Sequence, residues 1–300
     1  MGFENLIGNE KVKDLLTKTI KTDIILHSYL FVGIEGIGKS LFAKEFAKMV
    51  LCIEENKPCN KCTSCMEIEN SNHPDFMQIE PDGNAIKIEQ IRFLQQKIAE
   101  KPIISKNKVY IINNADTMTK EAQNALLKTL EEPPEYAVII LIASNESNLL
   151  NTIKSRCTKV VFQIIENEKI EKYIKENISV HVTKSMIDMC EGSIGKALRL
   201  KEGQEIYEEI EKLVQNLDTK DLIEIMNNTE LFSKSKDNIY ELLDYLNIIL
   251  YNTRSINKIN CIKLVEEAKK RLLSNSNFDM TIDNLLIKMW EEVNEEYNRS

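Results

Sequence analysis

Proline is missing after position 134, and beyond position 83 glycine survives only as Gly192, Gly195 and Gly203. The back of the chain is therefore poor in loops, while the front holds most of the residues that break regular structure. No run approaches the roughly 18 apolar residues that a membrane span needs. The longest, Ala137 to Ala143, is strand-sized. No cationic stretch opens the chain: MGFENLIGNE carries acids, which excludes a signal peptide. Leu6 stands where an N-myristoylation signal needs Ser or Thr. Cationic residues are outnumbered, 39 Lys and Arg against 47 Asp and Glu, and the net charge of −8 is uneven. Residues 1–163 sum to −1 and residues 164–300 to −7. There is neither an internal repeat nor a low-complexity linker. With 43% hydrophobic and 29% charged residues, the composition excludes a disordered or fibrous protein. Three hundred residues predict about two or three domains with a core that needs no disulfides. The seven cysteines are odd in number and four crowd into residues 52–65, which is not a secreted disulfide scaffold. The expected compartment is the cytoplasm.

The front alternates apolar strands with helical patterns. Strands are predicted at Ile24–Val32, Val109–Ile112, Val138–Ile142 and Lys159–Phe162, and helices at Lys39–Leu51 and Thr119–Glu131. Thr119 is placed to cap the latter, and Pro133 and Pro134 stop it. Continuous apolar strands separated by helices predict a parallel sheet covered on both faces. From about Glu166 the spacing is almost wholly helical, with a turn near Ser193–Gly195.

Gly33-Ile34-Glu35-Gly36-Ile37-Gly38-Lys39-Ser40 fits the phosphate loop G-x-x-x-x-G-K-S/T, with an apolar strand before it and a helix after. Gly33, Gly36 and Gly38 would let backbone N–H groups converge on phosphate oxygens. Lys39 would reach the β- and γ-phosphates and Ser40 would hold Mg²⁺. The flanks favour this over a glycine turn that merely looks alike. Hydrolysis asks for an acidic pair at the end of a second strand, yet Val109–Ile112 ends in Asn113-Asn114. An amide brings no charge to Mg²⁺ and takes no proton as a base. Asp116 is expected to cap the helix Thr119–Glu131. Together these predict nucleotide binding without effective turnover.

Cys52, Cys59, Cys62 and Cys65 supply four thiolates within 14 residues, enough for a tetrahedral Zn²⁺ site of structural type. Four free or redox cysteines are the other reading, which such crowding disfavours. His73, beside Pro74, reads as a turn histidine. Cys157, Cys190 and Cys261 read as core residues.

A phosphate loop followed by a four-cysteine insert resembles the clamp-loader members of the AAA+ family, and further segments agree over about residues 1–205. Phe3-Glu4-Asn5-Leu6-Ile7-Gly8-Asn9-Glu10 is similar to the family's adenine-side lead-in, which implies that Ile7 and Gly8 border the nucleotide. His73-Pro74-Asp75 with Ile79-Glu80-Pro81, Ala125-Leu126-Leu127-Lys128-Thr129-Leu130-Glu131-Glu132-Pro133 and Ser155-Arg156-Cys157 match family motifs. On spacing alone Arg156 reads as an exposed arginine at a helix terminus. The resemblance implies instead an arginine finger that completes a neighbouring subunit's ATP site in trans. It also implies a first sensor at Ser144, although the spacing permits Asn145. The family's hydrolysing gamma/tau subunit carries G-S-L-R-D-A-L at its second sensor. Here Gly192-Ser193-Ile194-Gly195-Lys196-Ala197-Leu198 puts Gly195 where that arginine stands. With Asn113-Asn114, this resembles the family's non-hydrolysing or weakly hydrolysing stator.

The implied fold class is α/β plus all-α: an AAA+ P-loop parallel-sheet domain over 1–163 with a zinc knuckle at 52–65, a small helical lid over 164–206, and a C-terminal helical collar bundle over 207–300. The bundle has helical spacing, as in 208–214 and 239–246, and its acidity suits subunit assembly better than DNA phosphates. Trp290 could pack at a collar interface or inside the bundle. Implied partners are the clamp-loader gamma/tau and delta subunits, the sliding clamp indirectly, and primed DNA through the complex, with no membrane. Implied cofactors are structural Zn²⁺ and ATP with Mg²⁺, the occupancy of the latter left open. A gamma/tau-type ATPase and a stand-alone zinc-stabilised nucleotide-binding adaptor are the alternatives.

Overall fold

Seven successive apolar residues from Ala137 cannot lie at a surface without presenting a broad apolar face to water. In the computed structural model every one of them is buried. The structure describes residues 2–177 and 183–294. Residues 1, 178–182 and 295–300, which belong to the three expected domains, lie outside the described residues.

The strands are β1 (Ser28–Val32), β2 (Phe76–Ile79), β3 (Lys108–Ile112), β4 (Ala137–Ala143) and β5 (Thr158–Val161). All pair in parallel, in the order β2-β3-β4-β1-β5. The central β3 and β4 are buried at every position, as a sheet covered on both faces requires. Each fully buried Ile or Leu here contributes about 1.5–3 kcal/mol. The register pairs Val32 with Ala143 and Ile112 with Leu141. The residues that follow β1, β3 and β4 therefore emerge along one edge of the sheet, where open α/β sheets place their ligands.

The first strand starts later than its apolar pattern predicts. Ile24 and Leu26 are 67% and 44% exposed, because the pairing with β4 begins only at Ser28, opposite Ile139. The structure also adds β2, which is too short and too interrupted by Gln78 to stand out as an apolar run.

The helices of the front are α1 (Glu10–Lys21), α2 (Lys39–Leu51), α3 (Thr63–Glu69), α4 (Ile88–Ala99), α5 (Lys120–Glu131) and α6 (Asn151–Lys154). Thr119 Oγ1 accepts from the Ala122 N–H and so caps α5 as predicted. Helices α7 (Asn167–Asn177), α8 (Lys184–Cys190), α9 (Ile194–Glu202), α10 (Gln204–Asn216), α11 (Leu222–Met226), α12 (Thr229–Ser233), α13 (Ile239–Asn252), α14 (Ile256–Leu273) and α15 (Phe278–Asn294) follow.

Packing divides the chain into two compact units. One comprises residues up to 169 together with 192–195; the other comprises 170–191 and everything from 196 on. The second unit is centred on α13, which buries Leu242, Leu243, Tyr245, Leu246, Ile249 and Leu250. Trp290 belongs to this bundle, its indole N–H donating to the Lys220 carbonyl at 2.9 Å. Among the described residues no helix is long and apolar enough to cross a membrane.

Candidate functional site

The loop after β1 turns sharply into α2, and two of its glycines make the turn possible. Gly36 and Gly38 have φ of +73° and +99°, a region that side chains rarely adopt. Ile37 between them is buried and pins the loop. Lys39 folds back over it: its Nζ donates to the Gly33 carbonyl at 2.6 Å, the Ile34 carbonyl at 2.8 Å and Ser144 Oγ at 3.1 Å. Burial pulls the Lys39 ammonium below its ordinary value, while the nearby charges of Asp116 and Glu35 push the other way. Ser40 follows as an exposed residue of the first helical turn. Of the two sensor candidates, Ser144 touches Lys39. Asn145 turns away, its Oδ1 accepting from the Ser147 N–H.

The turn carrying Gly195 reaches the same loop. The Gly195 N–H donates to the Gly36 carbonyl at 2.9 Å, and a Cβ on Gly195 would stand 2.7 Å from Gly36 Cα. A Cβ on Gly36 would meet Ser193 Oγ at 2.4 Å. Position 195 thus fits only without a side chain. The Gly192 carbonyl in turn accepts from the Ile165 N–H, and Ile165 packs against Gly8. The lead-in segment with Ile7 and Gly8 is joined to the same cluster, and Phe3 anchors it by stacking on Phe42 of α2 at 5.4 Å.

At the end of β3 the amide nitrogen of Asn113 donates to Glu80, which follows β2 and also accepts from Gln78 at 2.6 Å. Asn113 Oδ1 is buried with no hydrogen-bond partner among the described residues, so the position offers a neutral acceptor and no carboxylate. Asp116 does not cap α5, contrary to expectation. Thr119 performs that function, and Asp116 Oδ2 accepts the Asn145 N–H at 2.8 Å, holding the end of β4 beside the phosphate loop. The phosphate side of the site fits an anionic group; at the end of β3 Asn113 itself brings no carboxylate, although Glu80 and Asp116 stand nearby.

The four clustered cysteines come together after α2. The sulfurs of Cys52, Cys59, Cys62 and Cys65 all lie within 4.8 Å of one another, with Cys52–Cys62 and Cys59–Cys65 at 3.9 Å. A tetrahedral thiolate site with metal–sulfur bonds near 2.3 Å has edges of about 3.8 Å, so the arrangement could hold a metal ion. Backbone N–H groups of Lys61 and Cys62 donate to Cys59 Sγ and draw its thiol down to about 6. Burial pushes Cys52 and Cys65 up, a cost that a bound cation would offset.

Beneath the cluster lies a polar network that the sequence pattern did not disclose. Buried His73 accepts the Asp75 N–H on Nδ1, so its other nitrogen, Nε2, is the one that donates to Ser64 Oγ, at 2.8 Å. Asp75, also buried, accepts three backbone N–H groups, from Ile103 and Ile104 at 2.7 Å and Ser105 at 2.9 Å. Ser105 Oγ lies 3.4 Å from Ser64 and donates to the Leu51 carbonyl. The His-Pro-Asp motif ties the cysteine insert to the sheet. Its signal in the sequence was an acid just before a strand, with no indication of its partner.

Arg156 is not brought to the phosphate loop. Its Nη2 pairs with Glu131 Oε1 at 2.6 Å, and Nη1 donates to the Thr152 carbonyl at 2.9 Å and to Ser155 Oγ at 3.4 Å. Cys157 beside it packs against the core and burial raises its thiol to about 12; Cys190 and Cys261 are buried, as expected. Lys196 pairs with Glu191.

The sequence profile described as "DNA polymerase III, delta subunit" matches residues 8–166. DNA polymerase III subunit delta' of Bacillus subtilis is 32% identical over 94% of this chain and 96% of its own length. The tau/gamma subunit of Haemophilus influenzae is also 32% identical, over 66% of this chain and 30% of that protein. Among solved structures, a DNA polymerase III gamma subunit-related protein of Thermotoga maritima superposes with a TM-score of 0.53 at 21% identity, covering 94% of this chain and 99% of that one. That likeness is one of fold, and it agrees with the AAA+ clamp-loader architecture expected from the motifs.

Proposed function

The chain belongs to the DNA polymerase III delta-subunit family, and from that membership we propose that it is the delta-prime-type stator of a bacterial clamp loader. In this reading it works beside gamma/tau and delta subunits, acting indirectly on the sliding clamp and, through the complex, on primed DNA. The observation that carries it is the near full-length relationship to a subunit delta'. Asn113 and Asn114 at the end of β3, and Gly195 against Gly36, support a subunit that hydrolyses ATP weakly or not at all. Gly33, Gly36, Gly38, Lys39, Ser40, Ile7, Gly8 and Ser144 are the residues that would face a nucleotide. Lys39 is already engaged with its own loop, so a phosphate must displace those carbonyls.

Arg156 is the proposed finger. A planar guanidinium can neutralise charge developing on a neighbour's γ-phosphate, and here it sits 33% exposed at the end of α6. Zn²⁺ is the proposed ion at Cys52, Cys59, Cys62 and Cys65, closing four ligands and leaving no open position for chemistry. Residues 164–206 as a lid, 207–300 as a collar, and a place in the cytoplasm at the replisome complete the reading.

The test is reconstitution with the gamma/tau and delta subunits. Arg156→Ala should lower the DNA-stimulated ATPase by about tenfold or more, while Lys39→Ala in this chain leaves it nearly unchanged. Turnover by the isolated chain that disappears with Lys39→Ala would favour a gamma/tau-type ATPase instead. Failure to co-elute with those partners would leave the stand-alone adaptor.

A further inference from the structure

We propose that Glu131 is the positioning residue for Arg156, fixing the guanidinium so that its remaining donors face a neighbouring subunit; this rests on the finger reading above. Arginine has five N–H donors on a long, freely rotating stem. In Arg156 the two on Nη1 are taken by its own chain, by the Thr152 carbonyl and Ser155 Oγ, while Nη2 stands 2.6 Å from Glu131 Oε1 as an ion pair. Among the described residues Nε and Nη2 donate no hydrogen bond, so their protons are left to meet an anionic oxygen. Two of the three contacts come from the short helix that leads into Arg156. Glu131 is the long-range one, placed at the last position of α5.

That placement is electrostatically awkward. The C-terminus of a helix carries partial negative charge, and α5 ends in Glu131 and Glu132 before two prolines stop it. An acid there is stabilised by a cation across from it, and Arg156 is that cation. The root of the arginine is fixed independently, because its neighbour Cys157 packs against the core. The carboxylate therefore joins the Thr152 carbonyl in setting where the guanidinium points, Glu131 acting at Nη2 and Thr152 at Nη1. Losing it leaves the charge of Arg156 in place and loosens its orientation, since only the Nη1 contacts then hold the guanidinium. Such a loss acts on charge that develops during reaction rather than on binding of ATP, and so lowers kcat with little change in KM.

The experiment compares reconstituted clamp loaders containing the wild-type chain, Glu131→Gln, Glu131→Asp, Arg156→Ala and the Glu131→Gln/Arg156→Ala double variant. Assembly is checked by gel filtration, and DNA-stimulated ATPase is followed against ATP concentration. Glu131→Gln should lower kcat about fivefold at unchanged KM, Glu131→Asp should recover part of that, and the double variant should be no slower than Arg156→Ala. An unchanged or raised kcat for Glu131→Gln, with Arg156→Ala impaired, overturns the positioning role and leaves the finger standing. Loss of assembly, or a raised KM alone, assigns Glu131 a structural role and overturns it too. Full activity of Arg156→Ala refutes the finger, and the inference with it.

Discussion

Replacing Gly195 with alanine should destabilise the first packed unit, although the same change in an open helix does the opposite. Gly195 is the second residue of α9, where alanine gains up to about 1 kcal/mol over glycine. Its φ lies outside the left-handed region, so the backbone itself tolerates a side chain. The obstacle is Gly36: the new Cβ would stand 2.7 Å from Gly36 Cα and 3.1 Å from its carbonyl oxygen. Carbon atoms rest at about 3.5–4.0 Å, so the turn must retreat by roughly 1 Å. The Gly195 N–H to Gly36 bond, now 2.9 Å, then stretches beyond hydrogen-bonding range. Losing that bond costs about 0.5–1.5 kcal/mol, and the crowding about 1–3 kcal/mol. After the helical gain the net loss is about 1–3 kcal/mol, a fall in Tm of roughly 3–10 °C for a unit of this size. Calorimetry of the full chain reads it directly. An unchanged or raised Tm would mean that the two backbones do not approach as described. Gly195→Arg carries the same Cβ and should fall at least as far.

Chelation by EDTA should lower Tm, and Cys65→Ser should reduce bound zinc from one per chain to near zero by elemental analysis; a zinc content unaffected by the substitution would refute the four-sulfur site. Stability should also fall in mild acid because of His73. Burial holds its folded value below the ordinary 6.5, against the pull of Asp75 and Glu67, so the contribution of neutral His73 is complete above about pH 6.5 and is lost as pH drops through the lower folded value. His73→Gln should flatten that part of the urea-denaturation profile; an identical pH dependence in the variant would exclude His73 as its source.

The sheet was legible because β3 and β4 are buried on both faces and so carry no charged residue among their central positions. Phe76–Ile79 escaped notice because a short strand at the edge needs no such purity. The cysteine spacing and the phosphate loop were readable since each is a local pattern whose chemistry fixes residue type and interval. Partnerships across the sheet were not. Asp116 and Thr119 both precede α5 and both can cap a helix; only the register of β3 beside β4 carries Asp116 to Asn145 and leaves the cap to Thr119. Glu80 with Asn113, Asp75 with residues 103–105, and Glu131 with Arg156 are likewise long-range pairs, set by which strand ends become neighbours.

The division into packed units has a practical side. Residues 192–195 are bonded into the first unit, while the stretches on either side of them count with the second. A fragment ended after residue 169 would keep every strand, the cysteine insert and the phosphate loop, yet lack the four residues whose backbone covers Gly36 and bonds Ile165. Phosphate affinity measured on such a fragment would describe a loop stripped of its own neighbour. The module is defined by what packs together, and no single cut in the polypeptide can excise it whole without also carrying residues 170–191 of the other unit.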